Sequence, residues 1–196
     1  MTLQIYGDRI SGNCLKVKWT ADYLSIPYRW IDIDVLKDEA KAPSFLVLNP
    51  AGQVPTVVLE DGRVLAQSNA IITYLAQGSD LIPTDAYDRA KMLEWMYWEQ
   101  YSHEPYIAVV RFQRHMMGKD ADQIEPRLME RGYGALARME AGLTGRAYLA
   151  SDRVTLADVT LVAYTRLAPQ GGFDMQAYPL LRAWMARVEA DLGITD

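Results

Sequence analysis

The sequence predicts an α/β domain followed by an all-α domain in one chain. Two observations carry this. Short β-branched and apolar runs of strand length end by Ala66, and no convincing strand pattern follows Gly78. Beyond that point the chain consists of long helical patterns dense in aromatics. Strands first and helices afterwards separate the two classes into distinct domains. The expected division is residues 1–78 and 86–196, with 79–85 as a linker whose Ser79, Asp80, Pro83, Thr84 and Asp85 follow Gly78.

The elements of the first domain follow in order. Leu3 to Tyr6 is a short apolar run closed by Gly7-Asp8, which suits a buried strand ending in a loop. Cys14, Val17, Ala21 and Leu24 then recur at helical spacing, with Lys16, Lys18 and Asp22 between them, and Pro27 ends that helix. Ile31, Ile33 and Val35 alternate with Asp32 and Asp34, as in a strand with one polar face. Thr56-Val57-Val58 and Val64-Leu65-Ala66 read as a hairpin about Glu60-Asp61-Gly62-Arg63, since Asp-Gly supplies the positive φ of such turns. Ser68 is placed to cap a helix carrying Ile71, Ile72 and Leu75.

In the second domain, Ala86 to Met117 is one long helical pattern carrying Trp95, Tyr97, Trp98, Tyr101, Tyr106 and Phe112, bent at Pro105. Further helices are expected over 123–143 and 156–167 and from Pro179 onward, where proline suits a first turn. Thr155 with Asp158 forms a capping-box-like pair, and Val154 with Val159 stands at the positions of a hydrophobic staple.

Bulk properties narrow the function classes. A chain of 196 residues, half hydrophobic and 23% charged, has ordinary globular composition. A net charge of −5 argues against nucleic acid as a partner, because phosphate neutralisation needs concentrated Lys and Arg. Charges interrupt every apolar run before it reaches the ~20 residues of a membrane span. The N-terminal stretch lacks the basic and apolar regions of a signal, and a single cysteine forms no internal disulfide. A cytoplasmic protein is the expectation. His103 and His115, twelve apart with no cysteine or carboxylate cluster beside them, do not make a metal site.

Four motifs, in order and spanning almost the whole chain, carry a resemblance. They are Ser11-Gly12-Asn13-Cys14 opening the first helix, Asn49-Pro50-Ala51-Gly52-Gln53-Val54-Pro55 before a strand, Gln67-Ser68-Asn69-Ala70-Ile71 at the next helix start, and Val154-Thr155-Leu156-Ala157-Asp158-Val159. Together they resemble the glutathione transferase superfamily, and the chain looks like its bacterial, serine-type branch near the theta and beta classes. The resemblance implies a thioredoxin-like N-terminal domain that binds glutathione, followed by an all-α helical bundle. It implies a homodimer, glutathione as co-substrate without a metal, and transfer of its thiolate to a small electrophile, the chemistry of detoxification.

Several residues take expected roles on that basis. In the resembled family the proline at the position of Pro55 is cis, so that Val54, beside Gln53, offers backbone N–H and C=O to the cysteinyl part of glutathione. Gln67 and Ser68 open a helix whose N-terminal N–H groups and partial positive charge suit a carboxylate, here the γ-glutamyl group. The family often has Glu where this chain has Gln67, so the contact with the γ-glutamyl ammonium lacks a charge.

The reaction needs a thiolate. Lowering the thiol pKa by ~2 units takes ~2.7 kcal/mol of preferential stabilisation, and one or two hydrogen bonds to a charged sulfur, roughly 1.5–3 kcal/mol each, suffice. Ser11 at the helix start is the leading donor and Asn13 the second. A simple N-cap is the competing reading of Ser11. Cys14 competes as a redox thiol, although its spacing with Val17, Ala21 and Leu24 faces the core, and Tyr6 reads as a core tyrosine. His103 and Tyr106 are the candidates for the electrophile pocket. Two other functions stay open: a glutathione-dependent disulfide reductase or peroxidase using Cys14, and a non-catalytic interaction protein on the same scaffold.

Overall fold

The computed structural model describes residues 2–195, in two compact units divided between Ser79 and Asp80. The first unit is built on a four-stranded sheet in the order β2-β1-β3-β4, with β1 Leu3–Gly7, β2 Tyr28–Asp32, β3 Thr56–Val58 and β4 Val64–Ala66. β1 pairs parallel with β2 and antiparallel with β3, which pairs antiparallel with β4. The parallel step needs a crossover, and helix α1, Gly12–Tyr23, supplies it. Helix α2 is a single turn, Pro43–Leu46, and helix α3 is Ser68–Leu75, which packs on α1. Leu3 and Ile5 of β1, Val57 of β3, Cys14, Val17 and Ala21 of α1 and Ile71 and Ile72 of α3 are all buried, as their periods require.

The second strand comes earlier than the alternation at 31–35 suggests. Its register runs from Leu3 opposite Tyr28 to Gly7 opposite Asp32, so β1 ends where β2 does. Ile33 N still donates to Gly7 O at 3.0 Å, and the N–H groups after it go to carboxylates instead of a ladder. Asp8 accepts from Val35 N at 2.9 Å, and Asp34 accepts from Leu36 and Lys37 N, closing a 3-10 turn over Val35–Lys37.

Among its described residues the second unit has no strand, and five α-helices form its frame. These are α4 Ala86–Trp98, α5 Glu104–Arg111, α6 Pro126–Gly142, α7 Leu156–Thr165 and α8 Pro179–Asp191. The single long helix expected over 86–117 runs without a non-helical residue from Ala86 to Met116, but not as one regular α-helix. π-helical turns occupy Glu99–His103 and Phe112–Met116, and Pro105, which has no N–H to donate, follows directly on the first of them.

Helix α7 is buried along its whole length, and Asp158 explains how its polar start is tolerated. The Asp158 Oδ2 accepts from Thr155 N and from the Thr155 hydroxyl, each at 2.9 Å. Its Oδ1 accepts from Leu149 N at 3.1 Å and from Trp184 Nε1 of α8 at 2.8 Å. Burial pushes this carboxyl up, and the hydrogen bonds pull against it. The staple residues Val154 and Val159 are both buried beside it.

Candidate functional site

Ser11 precedes α1 in an extended conformation, φ −88° and ψ 117°, with its carbonyl accepting from Cys14 and Leu15 N at 3.0 Å. Its side chain does not cap the helix. The hydroxyl instead hydrogen-bonds the Cys14 sulfur, on the side that favours a thiolate. So the Ser11 hydroxyl already serves a sulfur atom at the head of a helix, where the macrodipole also favours negative charge.

Cys14 itself is fully buried. Burial pushes its thiol up to about 11 against the hydrogen bonds from Ser11 and from Asp8 N, the latter at 3.4 Å. A thiol so placed is almost wholly protonated at neutral pH, which makes it a poor nucleophile.

Asn13, the second residue of α1, faces two donors. Its Oδ1 accepts from Lys16 Nζ at 2.7 Å and from the Ser68 hydroxyl at 3.0 Å. Lys16 is 0% exposed, although the pattern of α1 groups it with the solvated Lys18 and Asp22. Ser68 is buried too, and it is the first helical residue of α3 rather than its cap. Gln67 holds the cap position at φ 69°, a left-handed value that leaves its side chain exposed and not bonded to the helix start. The helix starts of α1 and α3 therefore meet through side chains.

The loop before β3 is held from both sides. Asn49, buried, donates to Gln53 O at 2.8 Å and to the Thr56 hydroxyl at 3.0 Å, while its own Oδ1 accepts from Ala51 N. Lys41 Nζ donates to Ala51 O and Gly52 O. Gly52 has φ +59°, and a Cβ there would stand 2.8 Å from Lys41 Nζ and 3.0 Å from Ala40 O. The Val54-Pro55 peptide is cis, with Gln53 exposed, Val54 half-buried and Pro55 buried. Neither Asn49 nor Lys41 stands out in the sequence as a site residue. The Asn-Pro pair marks a turn, and nothing in the sequence distinguishes Lys41 from a surface lysine.

In the second unit, His103 is fully buried and its Nε2 lies 2.9 Å from the Thr165 hydroxyl. That hydroxyl donates to Leu161 O at 2.7 Å, so the ring N–H is the donor of the pair. Tyr106 is half-buried on α5. Among the described residues no cluster of His, Cys, Asp and Glu could hold a metal ion, and no helix is long and apolar enough to cross a membrane.

Residues 10–77 match the family model described as glutathione S-transferase, N-terminal domain, and residues 103–191 match the C-terminal domain model of the same name. Glutathione S-transferase 3 of Zea mays is 32% identical, the alignment covering 96% of this chain and 89% of that protein. A maleylacetoacetate isomerase of Rhizobium meliloti is 33% identical over 80% of this chain and 76% of its own length. The crystal structure of a glutathione S-transferase from Pseudomonas fluorescens superposes with a TM-score of 0.93 at 43% identity, covering 97% of this chain and 96% of the other.

Proposed function

Since the chain belongs to the glutathione S-transferase family of enzymes, we propose that it binds reduced glutathione in its first unit and transfers the thiolate to a small electrophile. The carrying observation is Ser11: its hydroxyl stands at the head of α1, is not spent on the cap, and hydrogen-bonds sulfur. With glutathione bound, that hydroxyl donates to the substrate sulfur, and the α1 dipole adds to the effect. The acid is the thiol itself, so Ser11 orients and stabilises without being consumed. Asn13 is the second polar group at this helix start.

Val54, on the cis peptide, offers its backbone to the cysteinyl group in the manner of an added strand. Gln67 and Ser68 hold the γ-glutamyl end at the start of α3. Gln67, uncharged, makes the weaker contact with the ammonium. On this reading the enzyme is a serine-type member near the theta and beta classes, a cytoplasmic homodimer acting in detoxification. Tyr106 is the candidate for contact with the electrophile. His103, sealed against Thr165, would act there only through the packing beneath it.

The reductase reading is less well supported, since the thiol it needs is buried and pushed up to about 11. Calorimetric titration with reduced glutathione, followed by turnover with a panel of electrophiles, tests the proposal. Saturable binding with conjugation is the expected result. Binding without any turnover would favour the non-catalytic reading, and no binding at millimolar glutathione would sink both.

A further inference from the structure

The buried Lys16 is the feature of the first unit that the reaction as described does not use. An ammonium buried away from water is tolerated only when hydrogen-bonded, because desolvating a charge costs several kcal/mol. One partner is Asn13 Oδ1 at 2.7 Å, a residue three positions earlier on α1 and two beyond Ser11. An ammonium has donors and no acceptor, so the oxygen end of the Asn13 amide must face it. The Ser68 hydroxyl donates to that same oxygen at 3.0 Å, from the start of α3. Two donors on one oxygen leave Nδ2 as the donor end of the amide, and the orientation is decided from inside the fold.

We infer that Lys16 is a positioning residue: by holding Asn13 Oδ1 together with the Ser68 hydroxyl, its buried ammonium fixes which end of the Asn13 amide serves the glutathione sulfur. This rests on the glutathione reading above. Lys16 touches neither substrate nor reacting atoms in this scheme. It acts through Asn13, and its removal frees the amide to turn.

A double-mutant cycle with Lys16→Met and Asn13→Ala tests this, reading kcat, KM for glutathione and the pH profile of kcat/KM, with melting curves of each variant. Lys16→Met should lower kcat roughly tenfold with KM little changed, and should move the rising limb of the profile to higher pH. In the Asn13→Ala background the same substitution should have no further effect on kcat. Lys16→Gln, which keeps an N–H donor, should recover part of the loss. Equal losses in both backgrounds, or a lowered melting temperature with unchanged kinetics, would overturn the inference.

Should Lys16→Met not fold, Asn13→Asp carries the test. It keeps the acceptor for Lys16 and Ser68 and loses the donor, so it should fold and yet match Asn13→Ala in kcat. Retained activity in Asn13→Asp would overturn the inference. Wild-type protein that binds no glutathione would overturn both this and the functional proposal, whereas wild-type binding with an additive cycle would remove only the role of Lys16.

Discussion

The Ser68 hydroxyl donates to Asn13 Oδ1 at 3.0 Å, joining residues fifty-five apart in sequence. The bond closes the sheet-and-helix unit at the point where both helix N-termini begin. Ser68 also opens the helix proposed to hold the γ-glutamyl end, and Lys16 Nζ still holds Asn13 Oδ1 without it, so Ser68→Ala should raise the glutathione Kd about tenfold, the equivalent of one net hydrogen bond of ~1.4 kcal/mol. Its kcat at saturation should change less than its affinity. Calorimetry and steady-state kinetics on the same preparation separate the two.

Ser11→Ala should show the opposite pattern. Losing a hydrogen bond to a charged sulfur, worth ~1.5–3 kcal/mol, corresponds to a fall in kcat of roughly 10- to 100-fold. KM for glutathione should stay nearly constant, since the group acts on the thiolate rather than on binding. Unchanged turnover would transfer the role to Asn13 or Cys14.

Asp158→Asn should be among the most destabilising isosteric changes in the chain. Each Asp158 oxygen accepts two hydrogen bonds, so an amide in either orientation turns an NH2 group toward donors. A loss on the order of 3 kcal/mol is expected, read as a lowered thermal midpoint with activity intact in the protein that still folds.

Two glycines of α6 should respond with opposite sign. A Cβ at Gly132 would lie 2.5 Å from the Phe173 ring, which is buried and packed edge-on against Tyr133. Gly132→Ala should then cost about 1–3 kcal/mol by overpacking, against a helix-propensity gain of under 1. Gly134 meets nothing within 4 Å, so Gly134→Ala should stabilise by about 0.5–1 kcal/mol. Thermal melts of the two variants side by side check this.

Cys14 gives a prediction about pH. Its thiol is raised from 9.0 to about 11 by burial, so its contribution to stability is fully present below pH ~9 and is lost as pH rises through about 11. At most ~3 kcal/mol is involved. Cys14→Ala should flatten that part of the stability curve relative to wild type. Native protein at neutral pH should react with thiol reagents far more slowly than protein in denaturant.

Much of this was legible in sequence because local rules and tertiary needs agree. The Asp61-Gly62 turn, the Thr155–Asp158 pair and the core face of α1 each follow from residue type and spacing, and each is found. What sequence missed was decided by partners far away in the chain. Lys16 reads as solvated because a lysine on a helix usually is, and the acceptor that lets it be buried is oriented by Ser68. The second strand was misplaced because its limits come from the length of β1, not from its own alternation. Likewise the π turn at Glu99–His103 is not marked by glycine. Pro105 signals trouble in the helix, but it does not say that a π turn absorbs it.

The most direct measurement is the pH dependence of thiolate absorbance for glutathione bound to wild-type protein and to Ser11→Ala. The account predicts that the bound thiol ionises ~2 pH units below free glutathione in the wild type, and that most of this shift disappears in the variant. A bound thiol that ionises like the free one, or a shift that survives the loss of Ser11, would contradict it.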